Sequence, residues 1–403
     1  TSMATVETVI DQREPLLRHQ RDFFTSALAE GDDFPVSAYV FGDADNPART
    51  RSFLDLLLRH QIDVYGLNRE VEYEGTTFSP GSAYVVPTRQ AQYRMVRTMF
   101  ERVTSFADSV FYDTSAWSMA LSYGLPHHGI ERGPVPRGEQ VTEVPTTDGL
   151  GEVPRSSYAY LVNWTEDPAA NVLRTLLAHD LTVKAAFEPF EIQTANGPAD
   201  YPRGSLLLPV QPQSITADSL HRIVERVEQT TGMNIDAVPT GFARSGVDLG
   251  SPSFRPIEHP RPLMLVGNGV SSYEAGQVWY VLDTRVKMPI TKVDRTDLGR
   301  VHLPDYNTIV MVSGRYENLP AAYVDGLRRW IEAGNTLITI RGATSWAVTS
   351  GLVNDTTLVD QIDTLPTTPT SPEDGGPDRY DYASAPDRRG AQRIGGAIFE
   401  TDL

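Results

Sequence analysis

Two stretches of this chain repeat one another, and that repetition restricts the fold more than any other feature. The first runs through Ala38 to Phe41, Asp45-Asn46-Pro47-Ala48, an apolar set Phe53, Leu54, Leu57, Leu58, then Ile62 to Tyr65, and ends on Phe78 to Pro87 with Gly81-Ser82 at its head. The second runs through Ala159 to Val162, Glu166-Asp167-Pro168-Ala169, the set Val172, Leu173, Leu176, Leu177, then Leu181 to Val183, and ends on Tyr201 to Pro209 with Gly204-Ser205. The physical grammar is shared. A four-residue apolar run reads as a buried strand. An Asx or Glu before Pro-Ala reads as a helix start with proline in the first turn. The pairs of apolar residues four apart make one buried helix face. Each copy is therefore expected to form a β-α-β-β unit followed by a helix, at 90–102 in the first and 217–231 in the second.

From Arg261 the grammar changes to strand–helix alternation, which predicts a parallel sheet with helices on both faces. Pro262 to Val266 reads as a strand leading into Gly267-Asn268-Gly269, followed by a helix over 273–285. Pro289 to Val293 and Asn307 to Val312 read as further strands. Leu319-Pro320 opens a helix that Gly334-Asn335 closes, and Asn335 to Ile340 reads as a fourth strand. The fold class expected is α/β: two related β-α-β-β modules plus a flavodoxin-like doubly wound parallel-sheet domain. The boundaries expected are a leading helix in 1–30, modules in 31–150 and 151–258, and the parallel-sheet domain in 259–403. That last domain carries an acidic loop at 364–389, rich in Pro and Thr, then a strand at 393–399. The chain stops at Leu403 without a closing element, as a truncated or processed product would.

The 403 residues contain no cysteine, so disulfides, thiolate metal ligands and a thiol nucleophile are excluded. A formal net charge of −17 without a basic run argues against nucleic acid as a partner. No apolar run approaches the length of a membrane span, and the first residues lack the basic and apolar regions of a signal peptide.

Several short motifs resemble large proteins of the M14 zinc carboxypeptidase type. The run Thr5 to Phe24 is similar to the last helix of their peptidase domain, and Tyr112 to Leu121, with Asp113 and Trp117, resembles the segment that follows it. Tyr160 to Val162 and Arg203 to Leu207 resemble their middle region. Gly334 to Ile338 and Gly396 to Phe399 resemble their tail, a domain like the type 1 glutamine amidotransferases. The resemblance implies a zinc peptidase domain upstream of Thr1 that hydrolyses C-terminal peptide bonds with a metal-activated water. This chain would then be its accessory region, with no cofactor of its own. The upstream domain is the partner implied, self-association is a second, and the setting implied is secreted or periplasmic.

Candidate chemistry within the chain is sparse. His128-Gly129-Ile130-Glu131 has the letters of the family's zinc motif, with His127 adjoining and His259 as a third ligand, but the flanking prolines read as an exposed loop. His221 and Glu225 share a helix face that is expected to be solvated. Gly342-Ala343-Thr344-Ser345-Trp346 stands where amidotransferases carry their nucleophile, which leaves Thr344 and Ser345 as hydroxyl candidates without an evident base. Gly267-Asn268-Gly269 reads either as a phosphate cradle at a helix N-terminus or as a tight turn, with Ser272 where a third glycine would complete the phosphate-binding fingerprint. Three functions remain open: accessory region, stand-alone small-molecule or peptide-binding protein, and hydrolase using the Thr344-Ser345 turn.

Overall fold

The structure, a computed structural model, describes residues 2–102, 118–131, 133–145 and 153–353. The segment with Tyr112, Asp113 and Trp117, the acidic loop 364–389 and the strand expected at 393–399 lie outside the described residues. The chain divides into two compact units, one formed by the residues up to 145 with Thr165–Asp167, the other by most of 153–353.

In the first unit, helices α1 (Ser2–Asp11) and α2 (Arg13–Asp33) lead into strand β1 (Ala38–Gly42). There follow α3 (Pro47–Arg59), β2 (Val64–Leu67), the hairpin β3 (Val71–Tyr73) and β4 (Thr76–Phe78), then β5 (Ala83–Pro87). Helices α4 (Tyr93–Phe100) and α5 (Met119–Ser122) precede β6 (His127–Ile130) and β7 (Arg137–Val141). The strand order is β6-β1-β5-β2-β7, antiparallel throughout. Helix α3 starts where the sequence placed it: the Asn46 side chain accepts from the Arg49 N–H, and Pro47 opens the first turn.

The second unit repeats this plan. Strand β8 (Ala159–Val162), α6 (Ala169–Ala178), β9 (Lys184–Ala186), the hairpin β10 (Phe190–Thr194) and β11 (Gly197–Tyr201), and β12 (Leu206–Pro209) come first. Then come α7 (Ala217–Thr231), β13 (Asp236–Val238), β14 (Ser245–Gly246) and β15 (Phe254–Pro256). The sheet order is β13-β8-β12-β9-β15. Each strand occupies the place of its counterpart in the first unit, so the repeated segments share a topology. In both, the third strand inserts between two strands joined by a helix, and a fourth pairs with the first. This is the split β-α-β arrangement of ferredoxin-like folds.

The continuous apolar runs follow from burial on both sides of these sheets. Tyr39 and Phe41 face the helices with Phe53, Leu54 and Leu57, while Ala38 and Val40 face Val71 and Phe78 of the hairpin. In the repeat, Tyr160 and Val162 face α6 and α7, whereas Ala159 and Leu161 face Phe190, Ile192 and Tyr201. Leaving either face open would expose a row of large apolar residues, at a cost of about 1.5–3 kcal/mol for each.

Glu228 is buried near the end of α7, where its Oε2 accepts from the Ile235 N–H at 2.9 Å. Burial pushes its carboxyl above the ordinary carboxylate range, against the opposing pull of that N–H. A carboxyl with a raised folded-state pKa holds its proton more tightly in the folded state. Stability from this group is therefore present at low pH and declines as pH rises through the raised value. Glu228→Gln keeps an acceptor for Ile235, so the variant is expected to be more stable than wild type at pH 7 and equal to it near pH 4. Urea unfolding at both pH values checks this, and a variant less stable at pH 7 contradicts it.

The second unit also carries the parallel sheet. Its strands are β16 (Pro262–Val266), β17 (Thr291–Asp294), β18 (Thr308–Met311) and β19 (Thr336–Thr339), in the order β17-β16-β18-β19 and all parallel. Helix α8 (Ser272–Trp279) continues as a wider helical turn over Tyr280–Arg285. Helices α9 (Ala321–Glu332) and α10 (Gly342–Thr349) follow β18 and β19. Leu263, Ile309 and Met311 face α9 and α10, and Met264 and Val310 face α8, so the sheet is covered on both sides. The strand order 2-1-3-4 is that of doubly wound flavodoxin-like sheets, whose ligands sit at the carboxyl ends of the strands where the order reverses.

Candidate functional site

The order reverses between β16 and β18, and the loops that leave these two strands are joined there. Ser271 N–H donates to the Ser313 carbonyl at 2.8 Å, and Arg315 N–H donates to the Gly269 carbonyl at 2.8 Å. Ser271 caps α8 by accepting from the Glu274 N–H. The letters are those of a capping box, but Glu274 is diverted. Its Oε2 accepts from the Ser313 N–H at 2.8 Å, and its Oε1 lies 3.4 Å from Nη1 of Arg341. The side chain of Glu274 is 16% exposed and that of Arg341 78%.

Arg341 is the turn residue between β19 and α10, with φ 53° and ψ −118°. A side chain in this region of backbone space costs on the order of 1–3 kcal/mol. A strained strand-to-helix turn of this kind is where hydrolase folds hold a nucleophile above the sheet. Ser313 Oγ supports the turn by accepting from the Gly342 N–H at 3.1 Å. The turn residue is therefore Arg341, three positions before Thr344. Thr344 and Ser345 lie inside α10: Thr344 Oγ1 is 3.1 Å from Thr339 Oγ1, and Ser345 is exposed on the helix surface.

Beside this turn, Arg295 follows β17 and Arg315 follows β18. Arg295 donates through Nε to the Asn268 carbonyl at 2.6 Å and through Nη1 to the Arg315 carbonyl at 2.9 Å. Gly269, at φ +89°, lies between the two guanidiniums. Asp294 accepts from both the N–H and the Oγ1 of Thr296, which hold its carboxyl below its ordinary range.

The letters His128-x-x-Glu131 do not form a loop. His127 and His128 belong to edge strand β6, paired with β1. Neighbours in a strand point to opposite faces, so the two imidazoles diverge. His128 stacks on Tyr73 with ring centroids 4.7 Å apart and lies 3.6 Å from Glu74 Oε2. His127 places Nδ1 2.8 Å from the Leu125 carbonyl, and burial pushes its pKa down. Glu131 is exposed beyond the strand, and His259 belongs to the second unit, where its Nδ1 is 3.1 Å from the Pro260 carbonyl. Among the described residues no group of three or more His, Asp or Glu converges as a metal-ligand set.

His221 is buried rather than solvated. Its Nδ1 lies 3.0 Å from the Tyr160 hydroxyl and its Nε2 3.2 Å from Glu225. The sequence reading missed Tyr160 as its partner because the two are joined only by the packing of α7 on β8. A concavity of about 640 Å³ between Tyr158, Thr240, Gly241, Phe242 and Asp248 also lies in the second module, with Phe242 75% exposed.

No family model, no curated protein and no solved structure matches the chain. Among the described residues no helix is long and apolar enough to cross a membrane.

Proposed function

We propose that this chain is a non-catalytic accessory region of an M14-like zinc metallocarboxypeptidase, with its amidotransferase-like domain retained for binding. The observation that carries the reading is Arg341. An arginine at the strained turn offers a cation where a hydrolase of this shape needs a nucleophile, and its neighbour Glu274 is already engaged by Arg341 and the Ser313 N–H.

Support for the accessory part comes from α1 and α2, the segment that resembles a terminal peptidase helix. Val9-Ile10, Leu16-Leu17 and Phe23-Phe24 recur every seven residues and are exposed. Helix α2 is fixed at its far end. Ala27 is buried there, Gly31 meets the Thr88 carbonyl so closely that a Cβ would lie 2.6 Å from it, and Arg94 of α4 binds Glu30 and the Phe23 carbonyl. In this proposal the upstream peptidase domain covers the stripe and holds the zinc, and the parent protein is secreted or periplasmic.

A stand-alone binding protein is the second reading, favoured by the aromatic concavity at Tyr158 and Phe242. Zinc content and hydrolysis of a blocked dipeptide, measured on this chain and on any longer product of its reading frame, separate the alternatives. The chain alone is expected to show neither metal nor turnover, and the longer product both. Turnover by the chain alone that Ser345→Ala or Thr344→Ala abolishes would establish the hydrolase instead, and a reading frame starting at Met3 would favour the stand-alone protein.

A further inference from the structure

We propose that the loop Gly267-Asn268-Gly269, between the guanidiniums of Arg295 and Arg315, is a binding site for a small oxyanion, either a phosphate group or a carboxylate. This rests on reading the parallel-sheet domain as a binding domain and names its ligand class.

A Cβ placed on Gly269 would lie 3.2 Å from Nε of Arg315, 3.3 Å from Nε of Arg295 and 3.4 Å from its Nη2. The two guanidiniums therefore converge over one residue, which has no side chain to push them apart. Like charges at such separation repel, and among the described residues no carboxylate forms an ion pair with either. Glu274 is committed to Arg341 and Ser313, and Asp294 to Thr296. Arg295 is held in place by main-chain carbonyls, and the adjacent Asp294 carboxylate, though attracted to it, is hydrogen-bonded to Thr296 and makes no ion pair with it.

The site lies in the crevice at which doubly wound sheets receive ligands, beside the first turn of α8. The fork of Arg315 and the Nη2 of Arg295, whose Nε and Nη1 are already bonded to carbonyls, can donate to the oxygens of a phosphate or carboxylate. The bare glycine lets the two guanidiniums come together over the backbone. Glycine at this position is thereby explained by the approach of the two guanidiniums as well as by its positive φ. The tight turn and the phosphate cradle, alternatives in the sequence, become one structure: the turn positions two arginines that arrive from other strands.

Titration calorimetry of the chain at low ionic strength with inorganic phosphate, sulfate and N-acetylglycine tests this. Saturable binding of at least one anion is expected. Arg315→Ala should weaken it tenfold or more, Arg315→Lys should retain part of the affinity, and Gly269→Ala should weaken it with the far-ultraviolet spectrum unchanged. Arg222→Ala, an exposed arginine on α7, should leave it unaltered. Preference for phosphate points to a phosphorylated small molecule, and preference for N-acetylglycine to a peptide carboxyl terminus. No saturable binding of any of the three, or equal losses in Arg315→Ala and Arg222→Ala, overturns the proposal. Turnover by the chain would overturn the accessory reading alone and leave these titrations to decide the site.

Discussion

Phe53→Ala is expected to destabilise the first unit by about 3–5 kcal/mol, the range for truncating a fully buried phenylalanine. Phe53 is fully buried on α3, with ring centroids 5.4 Å from Phe41, 5.4 Å from Phe100 and 5.1 Å from Tyr123, all near edge-to-face. Each such pair adds about 0.5–1.5 kcal/mol beyond area burial. The ring therefore joins β1, α4 and α5 to α3, and its removal leaves a void that three aromatic neighbours cannot close together. The repeat supplies an internal control. Val172 holds the matching place on α6 and is also fully buried, but among the described residues Tyr160 is the one Phe, Tyr or Trp side chain in its buried cluster. Val172→Ala should cost about 2 kcal/mol, from the methyl groups lost. Urea unfolding followed by circular dichroism gives both values. If Val172→Ala cost more than Phe53→Ala, the aromatic cluster would not be what closes the first core.

That asymmetry also shows how the repeat could be read from sequence. Strands β1 and β8, β5 and β12, and helices α3 and α6 announce themselves because both faces of their sheets are buried, which forces unbroken apolar runs and apolar pairs four apart. The outer strands carry no such mark. Strand β7 reads Arg137-Gly138-Glu139-Gln140-Val141 and is largely exposed; it exists because β2 offers it main-chain partners. Strands β13 and β15 have three residues each, too few for a period to register. The β-α-β-β reading therefore held the centre of each sheet and lacked the fourth and fifth strands that complete the split β-α-β plan.

At the candidate site the sequence marks Gly342 to Trp346, whereas the strand-to-helix turn itself falls on Arg341, just before them. Gly342 to Trp346 resembles a nucleophile motif by its letters, and the fourth parallel strand does end beside it. What selects the exposed position is backbone geometry, and nothing in the sequence marks Arg341 for a positive φ, since arginine seldom adopts one. Arg295 and Arg315 were not singled out for a different reason. Each follows its own strand, 20 residues from the other, and only the strand order β17-β16-β18 brings them together over Gly269. For His128 and Glu131 the letters gave a spacing, but His128 lies in β6 against Tyr73 while Glu131 is exposed beyond the end of the strand.

Gly267→Ala is expected to destabilise the second unit by about 2–4 kcal/mol and to abolish anion binding at Gly269. Gly267 has φ +99°, which costs an L-residue on the order of 1–2 kcal/mol. An added Cβ would also stand 2.0 Å from Oδ2 and 2.5 Å from Cγ of Asp294, so that carboxylate must leave its place. Leaving breaks its bonds to the Thr296 N–H and Oγ1, at 2.9 and 2.7 Å, which open the helical turn over Arg295–Arg300. Loss of such a cap costs about 0.5–2 kcal/mol. Because Arg295 is the next residue, its guanidinium shifts with the carboxylate, and the point it shares with Arg315 is lost. A double-mutant cycle with Asp294→Ala separates the two causes. In the double variant the clash is gone and the cap is lost once rather than counted twice, so the pair should be less destabilised than the sum of the singles by one cap, about 0.5–2 kcal/mol. Strict additivity would mean that Asp294 does not press on Gly267. Retention of phosphate affinity in the single variant would mean that this loop and its arginines do not form one site.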